Sequence, residues 1–208
     1  MSRDRGSSPP TKADGQSTGA VDALFVAPKS GAPPESRDAI AIRTNGIKGD
    51  RYRLGEGYFQ LDACPVTLVA AEAIEAIRAE TGIDVSDGRH RRNIVIEGFG
   101  TGMDGLLETT VAVGHALLQP TRRRPPCAHV EELAGADGLA TALKHRGGLC
   151  CDVIDPGVVS VGDSVAIRKA DPRTMGASIA DRLRNQSDAR PTREPSEETD
   201  SDDRSHER

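Results

Sequence analysis

The stretch from residue 65 to 98, PVTLVAAEAIEAIRAETGIDVSDGRHRRNIVIEG, carries two kinds of apolar spacing side by side. PVTLVA (65–70) and RNIVIEG (92–98) are short, branched-rich runs bounded by Pro, Gly or charge, the mark of β-strands. In the second, Val95 alternates with Ile94 and Ile96, so the strand is apolar throughout and belongs in a core. Between the two runs, AAEAIEAIRAETG (70–82) sets Ala71, Ile74 and Ile77 at helical spacing and ends on Gly82, a natural C-cap. Outward from this stretch the strand signature recurs in VDALFVA (21–27), TTVAVG (109–114), HALLQP (115–120), CCDVID (150–155) and SVAIRK (164–169). Val113-Gly114 and Val161-Gly162-Asp163 read as turns, and two shorter helical turns are expected at His129–Leu133 and Leu139–His145. Many short strands with Gly-rich connections and little helix predict a mainly β fold, a closed barrel or a sandwich.

The chain has 208 residues, 36% of them hydrophobic and 28% charged, enough for one domain with its own core. Residues 1–20 and 171–208 lack apolar periodicity, which predicts disordered tails around a single domain at 21–170. No run of about 18 apolar residues exists to span a membrane, and the N-terminus has no apolar segment of a secretory signal. A net charge of -5 argues against nucleic acid as a partner. Four cysteines do not make a disulfide framework in a chain this long, so a reducing cytoplasm is the expected location.

Four clusters carry the chemistry. NGIKGDRYRLGEGYF (45–59) is a glycine-rich loop made basic by Lys48, Arg51 and Arg53, either a plain turn or a cradle for an anion. RHRRNIVIEG (89–98) puts Arg91, Arg92 and Asn93 at the start of a strand, where neighbouring side chains point to opposite faces. At most one of the two arginines is then aimed at a shared pocket, unless a bulge intervenes. In RRRPPCAHVEEL (122–133), Pro125 and Pro126 hold the backbone extended and present Cys127 just before a helical turn, beside Arg123 and Arg124. Cations and a helix start favour a thiolate, which attacks electrophiles, carries sulfur or binds a soft metal; the alternative is a small buried hydrophobe. LKHRGGLCCDVI (143–154) brings His145 and Arg146 to a Gly-Gly turn before Cys150 and Cys151. No cysteine pair has the spacing of a zinc site, and Cys64, Cys150 and Cys151 read as packing residues. His90, His115 and His129 read as structural, with His115 at the core or rim.

Taken in order, GIKGDRY, PVTLVAAEAIEAI, RRNIVIEG, VGHALL, PPCAHVEEL, LKHRGGL and VVSVGDSVAI resemble the MOSC domain, the C-terminal domain of molybdenum cofactor sulfurases, from about Asn45 to Ile167. The resemblance implies a mixed, largely antiparallel β-barrel of the pyruvate-kinase type with few short helices. It also implies binding of the molybdenum cofactor, a molybdopterin-type group, with the cysteine of the PC motif, here Cys127, bearing sulfur or ligating molybdenum. The family's basic residues hold the pterin phosphate, a role the resemblance extends to Lys48, Arg91 and Arg92. Arg51, Asn93, Arg124 and His145 join them as cofactor-binding candidates. Cys64 stands where the family often has Arg, and Cys150 and Cys151 where it has polar residues or Ala. Neither the reductase modules nor the pyridoxal-phosphate sulfurase domain of larger members has a counterpart in these residues. A separate cysteine desulfurase or electron-transfer protein is therefore the expected partner, without nucleic acid or membrane. Two readings stay open: a molybdenum-dependent enzyme reducing N-hydroxylated substrates, and a non-catalytic carrier that hands on sulfur or cofactor.

Overall fold

The computed structural model describes residues 17–52, 64–107 and 109–168. Arg53 and the expected tails, apart from residues 17–20, lie outside the described residues. By backbone contacts the chain divides into Met1–Ala170 and Asp171–Arg208, and every described residue belongs to the first unit.

The strand–helix–strand stretch at 65–98 is the spine of the fold. Val66–Ala70 forms β5, Ala71–Thr81 forms α1, and Ile94–Glu97 forms β6. Strands β5 and β6 pair in parallel, with Leu68 opposite Ile94, because a helical crossover returns the chain to the same end of the sheet. Gly82 closes α1 in the left-handed conformation (φ 74°), its N–H donating to the Arg78 carbonyl.

Around this spine, β1 (Ser17–Val26), β7 (Thr110–Val113), β8 (Ala116–Arg123), β9 (Leu149–Asp155) and β11 (Ser164–Arg168) complete a barrel. The order β11-β7-β8-β9-β5-β6-β1 closes on itself through antiparallel pairing of β1 with β11, giving seven strands with one parallel pair. This is the expected mixed, largely antiparallel β-barrel. Short strands β2 (Glu35–Ser36), β3 (Ala39–Arg43), β4 (Gly46–Ile47) and β10 (Gly157–Ser160) add a flap and a small sheet ordered β10-β3-β4. Two further helices, α2 (Ala128–Ala134) and α3 (Leu139–Ala142), match the two expected helical turns. No helix among the described residues is long and apolar enough to cross a membrane.

Period-two alternation explains the two cores. Leu68, Ile94 and Ile96 point into the barrel with Leu24, Ile42, Val111, Leu118 and Val165. Val69 and Val95, one residue out of phase, point the other way and pack under α1, α2 and α3 with Ile74, Ile77, Val130, Leu139 and Leu143. Strands covered on both faces read as continuous apolar runs, which is why 65–70 and 92–98 look as they do.

Three expectations need correction. Strand β1 starts at Ser17, four residues inside the expected N-terminal tail, and Gly19 and Ala20 pair with Val165 and Ser164. Cys64 and Cys150 are disulfide-bonded to each other rather than free packing residues, across 86 residues of sequence. Thr67 of β5 lies opposite Cys150 of β9, so the cysteine just ahead of β5 meets the one in β9, a proximity that sequence spacing does not reveal. His115, expected in the core or at the rim, is exposed at the turn between β7 and β8.

Candidate functional site

One end of the barrel holds a pocket built by three loops and α2. Pro125 and Pro126 lie between the end of β8 and α2, and Cys127 is the N-cap residue of α2 (φ -140°, ψ 162°). Its sulfur makes no capping hydrogen bond and the residue is half-buried, so the thiol is presented to the pocket rather than consumed by the helix. Arg51, Arg91, Arg92 and Arg124 line the same cavity, and among the described residues no carboxylate lines it.

Both Arg91 and Arg92 reach this pocket, against the expectation that only one would. The reason is local backbone. Strand β6 begins only at Ile94, and Arg91 sits in the left-handed region (φ 62°), which breaks the alternation of faces. The Arg91 N–H donates to the Gly88 carbonyl and its Nη1 to the Ala32 carbonyl at 2.8 Å, pinning the loop that carries Ser30 and Gly31 against the pocket. Arg92 is 3% exposed and donates to three backbone carbonyls: Nε to Gly147 at 2.6 Å, Nη1 to His90 at 2.8 Å and Nη2 to Arg124 at 3.5 Å. It fastens three segments together as well as charging the pocket.

A polar chain ties the pocket to the barrel core. The Thr67 hydroxyl donates to Asn93 Oδ1 at 2.7 Å and accepts the Asn93 N–H at 2.8 Å. Asn93 Nδ2 donates to the Phe25 carbonyl and to Asp50 Oδ2, 3.1 Å away. The fully buried Asp50 also accepts the backbone N–H groups of Ala27 and Tyr52 and lies 3.8 Å from Arg51 Nη1. Tyr52 stacks under the Arg51 guanidinium, 4.3 Å from the ring centroid, and its hydroxyl accepts Arg124 Nη2 at 2.6 Å.

The electrostatics follow from this crowding. Burial pulls Arg92 down to about 9, and the Arg124 cation adds to the effect; Tyr52 and the Cys127 sulfur act the other way. Arg91 is lowered as well, first by burial and then by Arg51. Guanidiniums that disfavour one another's charge gain from an anion placed among them. The enclosed space is about 40 Å³, enough for a small anionic group, so a larger ligand would extend across the mouth.

Of the expected site residues, the structure brings Cys127, Arg51, Arg91, Arg92 and Arg124 to this pocket. It does not bring Lys48, which is exposed on the turn after β4, nor Asn93, which is buried behind the pocket as a linker. His145 lines a neighbouring cavity instead. Sequence reasoning missed Tyr52 and Asp50, although both lie in the GDRY segment, and it set aside His129, which lines the pocket. His90 is structural, as expected: its ring is buried edge-on to Phe25 and its Nδ1 accepts the Arg92 N–H at 3.0 Å.

Comparison with solved structures finds the same fold at low identity. The YuaD protein from Bacillus subtilis superposes with a TM-score of 0.62 at 18% identity, over 74% of this chain and 97% of that one. YiiM from Escherichia coli gives 0.53 at 17%, over 73% and 71%. YiiM from Geobacillus stearothermophilus gives 0.50 at 15%, over 74% and 75%. No curated protein sequence matches the chain. The family model for the MOSC domain matches residues 56–166, more than half of the chain, and the chain therefore belongs to the MOSC domain family.

Proposed function

We propose that the protein binds the molybdenum cofactor at the pocket of Cys127, with Arg51, Arg91, Arg92 and Arg124 receiving its anionic groups. The observation that carries this reading is the half-buried thiol of Cys127 on a cavity lined by four arginines and, among the described residues, by no carboxylate.

The residues fit such a group. Among the described residues no three His, Cys, Asp or Glu side chains gather to hold a bare metal ion. A cofactor that brings its own sulfur ligands asks the protein for a single cysteine sulfur and for cations, and the pocket offers both. Once bound, the cofactor would supply two-electron redox chemistry, for reduction of N-hydroxylated substrates with electrons from a separate protein. The chain's own part is positional. Pro125 and Pro126 aim Cys127, Tyr52 orients Arg51 and Arg124, and the buried Arg92 keeps the walls together.

A second reading draws on the same thiol. Half-buried at the pocket and outside the disulfide, Cys127 is also suited to carry sulfur. Its thiolate attacks the terminal sulfur of a donor persulfide on a cysteine desulfurase; a new S–S bond forms on Cys127 and the donor leaves as its thiolate, with no net change in oxidation level.

Metal analysis and intact mass of protein purified from its own host test the two together. Stoichiometric molybdenum that disappears in Cys127→Ser supports the first. A single added sulfur, removed by reductant and absent in Cys127→Ser, supports the second. Molybdenum retained at full level in Cys127→Ser, or neither addition in the native protein, rejects the assignment of Cys127.

A further inference from the structure

Behind the wall formed by Arg124 and Pro125 lies a second cavity, which encloses about 90 Å³ against about 40 Å³ at the Cys127 pocket. One side of it is the turn 144–148, which joins α3 to β9. Two arginines on its edge are already matched. Arg123 holds Asp104 (Nε to Oδ1 2.7 Å), and Arg146 holds Glu80 through both nitrogens at 2.9 and 2.7 Å. Lys144 and His145 are different: among the described residues neither side chain makes an ion pair or a hydrogen bond.

These two side chains ride on a fixed backbone. The Gly147 carbonyl accepts Arg92 Nε at 2.6 Å, and the Gly148 carbonyl accepts the Arg124 N–H at 2.7 Å. Both glycines are required by the close approach. A Cβ at Gly147 would sit 2.7 Å from the Arg124 oxygen, and one at Gly148 (φ +87°) would sit 2.0 Å from the Leu68 oxygen. The cations are therefore carried on an anchored turn, not on a free loop.

We propose that this cavity is a separate binding site for a small oxyanion, a free phosphate or sulfate or the phosphate of a monoester, held by Lys144 and His145. Among the described residues the lining carries more cations than carboxylates, with Arg123, Lys144 and Arg146 against Asp104 within the cavity and Glu80 beside it. A lysine ammonium is a compact point charge suited to a phosphate oxygen. The space of about 90 Å³ is of a size to admit a tetrahedral ion. The site stands apart from Cys127 and does not depend on the function proposed above.

The test is an NMR titration of the full chain, nitrogen-15 labelled, with inorganic phosphate at constant ionic strength. The amides of residues 144–148 shift saturably, and Lys144→Gln with His145→Gln weakens binding at those amides at least tenfold. Arg91→Gln, which alters the Cys127 pocket, leaves their response unchanged, so failure of one site is read separately from failure of the other. A parallel titration with glycerol phosphate assigns the source: binding at least threefold tighter than phosphate points to a monoester, and equal binding to the free ion. No saturable shift at residues 144–148, or the same shift in the double variant, overturns the proposal.

Discussion

Lowering the pH from 7 to 4 reads directly on His90. The ring is fully buried, and burial, reinforced by the nearby Arg92 cation, holds its pKa at about 3 against 6.5 in the ordinary state. A base whose pKa is depressed on folding binds its proton more readily when unfolded. Stability is therefore unaffected by His90 above pH 6.5 and falls as the pH drops from 6.5 toward 3. Each pH unit in that window is worth about 1.4 kcal/mol, so His90 alone costs the fold about 3 kcal/mol by pH 4. His90→Asn keeps an acceptor near the Arg92 N–H but does not titrate. Urea unfolding of both proteins at pH 7, 6, 5 and 4 isolates the contribution, because the offset from lost ring packing is constant and the carboxylates titrate in both. The native protein should lose about 3 kcal/mol more than the variant between pH 7 and 4. Parallel curves, with equal losses in both proteins, would refute the assignment of a neutral buried His90.

Arg92→Ala leaves the carbonyls of His90 and Gly147 buried without their donor, at about 1–3 kcal/mol each, so urea unfolding should show a loss of about 3 kcal/mol together with weakened phosphate binding at the Cys127 pocket. Lost affinity with unchanged stability would leave the bracing role of Arg92 without support. Tyr52→Phe keeps the ring under Arg51 but removes the hydroxyl that accepts from Arg124, so phosphate affinity at that pocket should fall several-fold, about 1 kcal/mol, with a smaller change in melting temperature. Cys64→Ser opens a loop of 86 residues, which the chain-entropy account values at about 4–5 kcal/mol; a melting temperature equal to that of the oxidised native protein would show that the bond contributes nothing.

The fold was legible where the apolar signal was continuous. At 65–98 the two strands and the helix between them are each long enough, and apolar enough on both sides, for periodicity to separate them. Strand β3 was passed over although AIAIR alternates cleanly, with Ile40 and Ile42 buried between exposed ends, because its flanks carry no apolar neighbours to extend the run. Strand β10 hid inside VVSVGDSVAI, where a turn two residues on drew the reading to β11. At the candidate site, Cys127 was marked by its two prolines and the arginines by their number. The left-handed backbone of Arg91, which turns two adjacent arginines into one pocket, has no sequence signal, since an arginine there is not the residue expected at positive φ. Asp50 and Tyr52 were equally silent: a Gly-Asp pair in a loop ordinarily means a turn, and only the folded chain shows that this carboxylate is buried against Asn93 from 43 residues away. The Cys64–Cys150 bond likewise depends on β5 lying beside β9.

The central claim is that Cys127 is the chain's one available thiol and faces the arginine pocket, and peptide-resolved alkylation measures it most directly. Cys64 and Cys150 are bonded to each other, and Cys151 is fully buried with its thiol pushed up by burial. Iodoacetamide at neutral pH, applied to the oxidised protein stripped of bound groups, should therefore label Cys127 first and Cys151 scarcely at all. Reloading with molybdopterin-type cofactor should slow labelling of Cys127 at least tenfold. Labelling of Cys127 no faster than Cys151, or at the same rate with and without cofactor, would contradict the account.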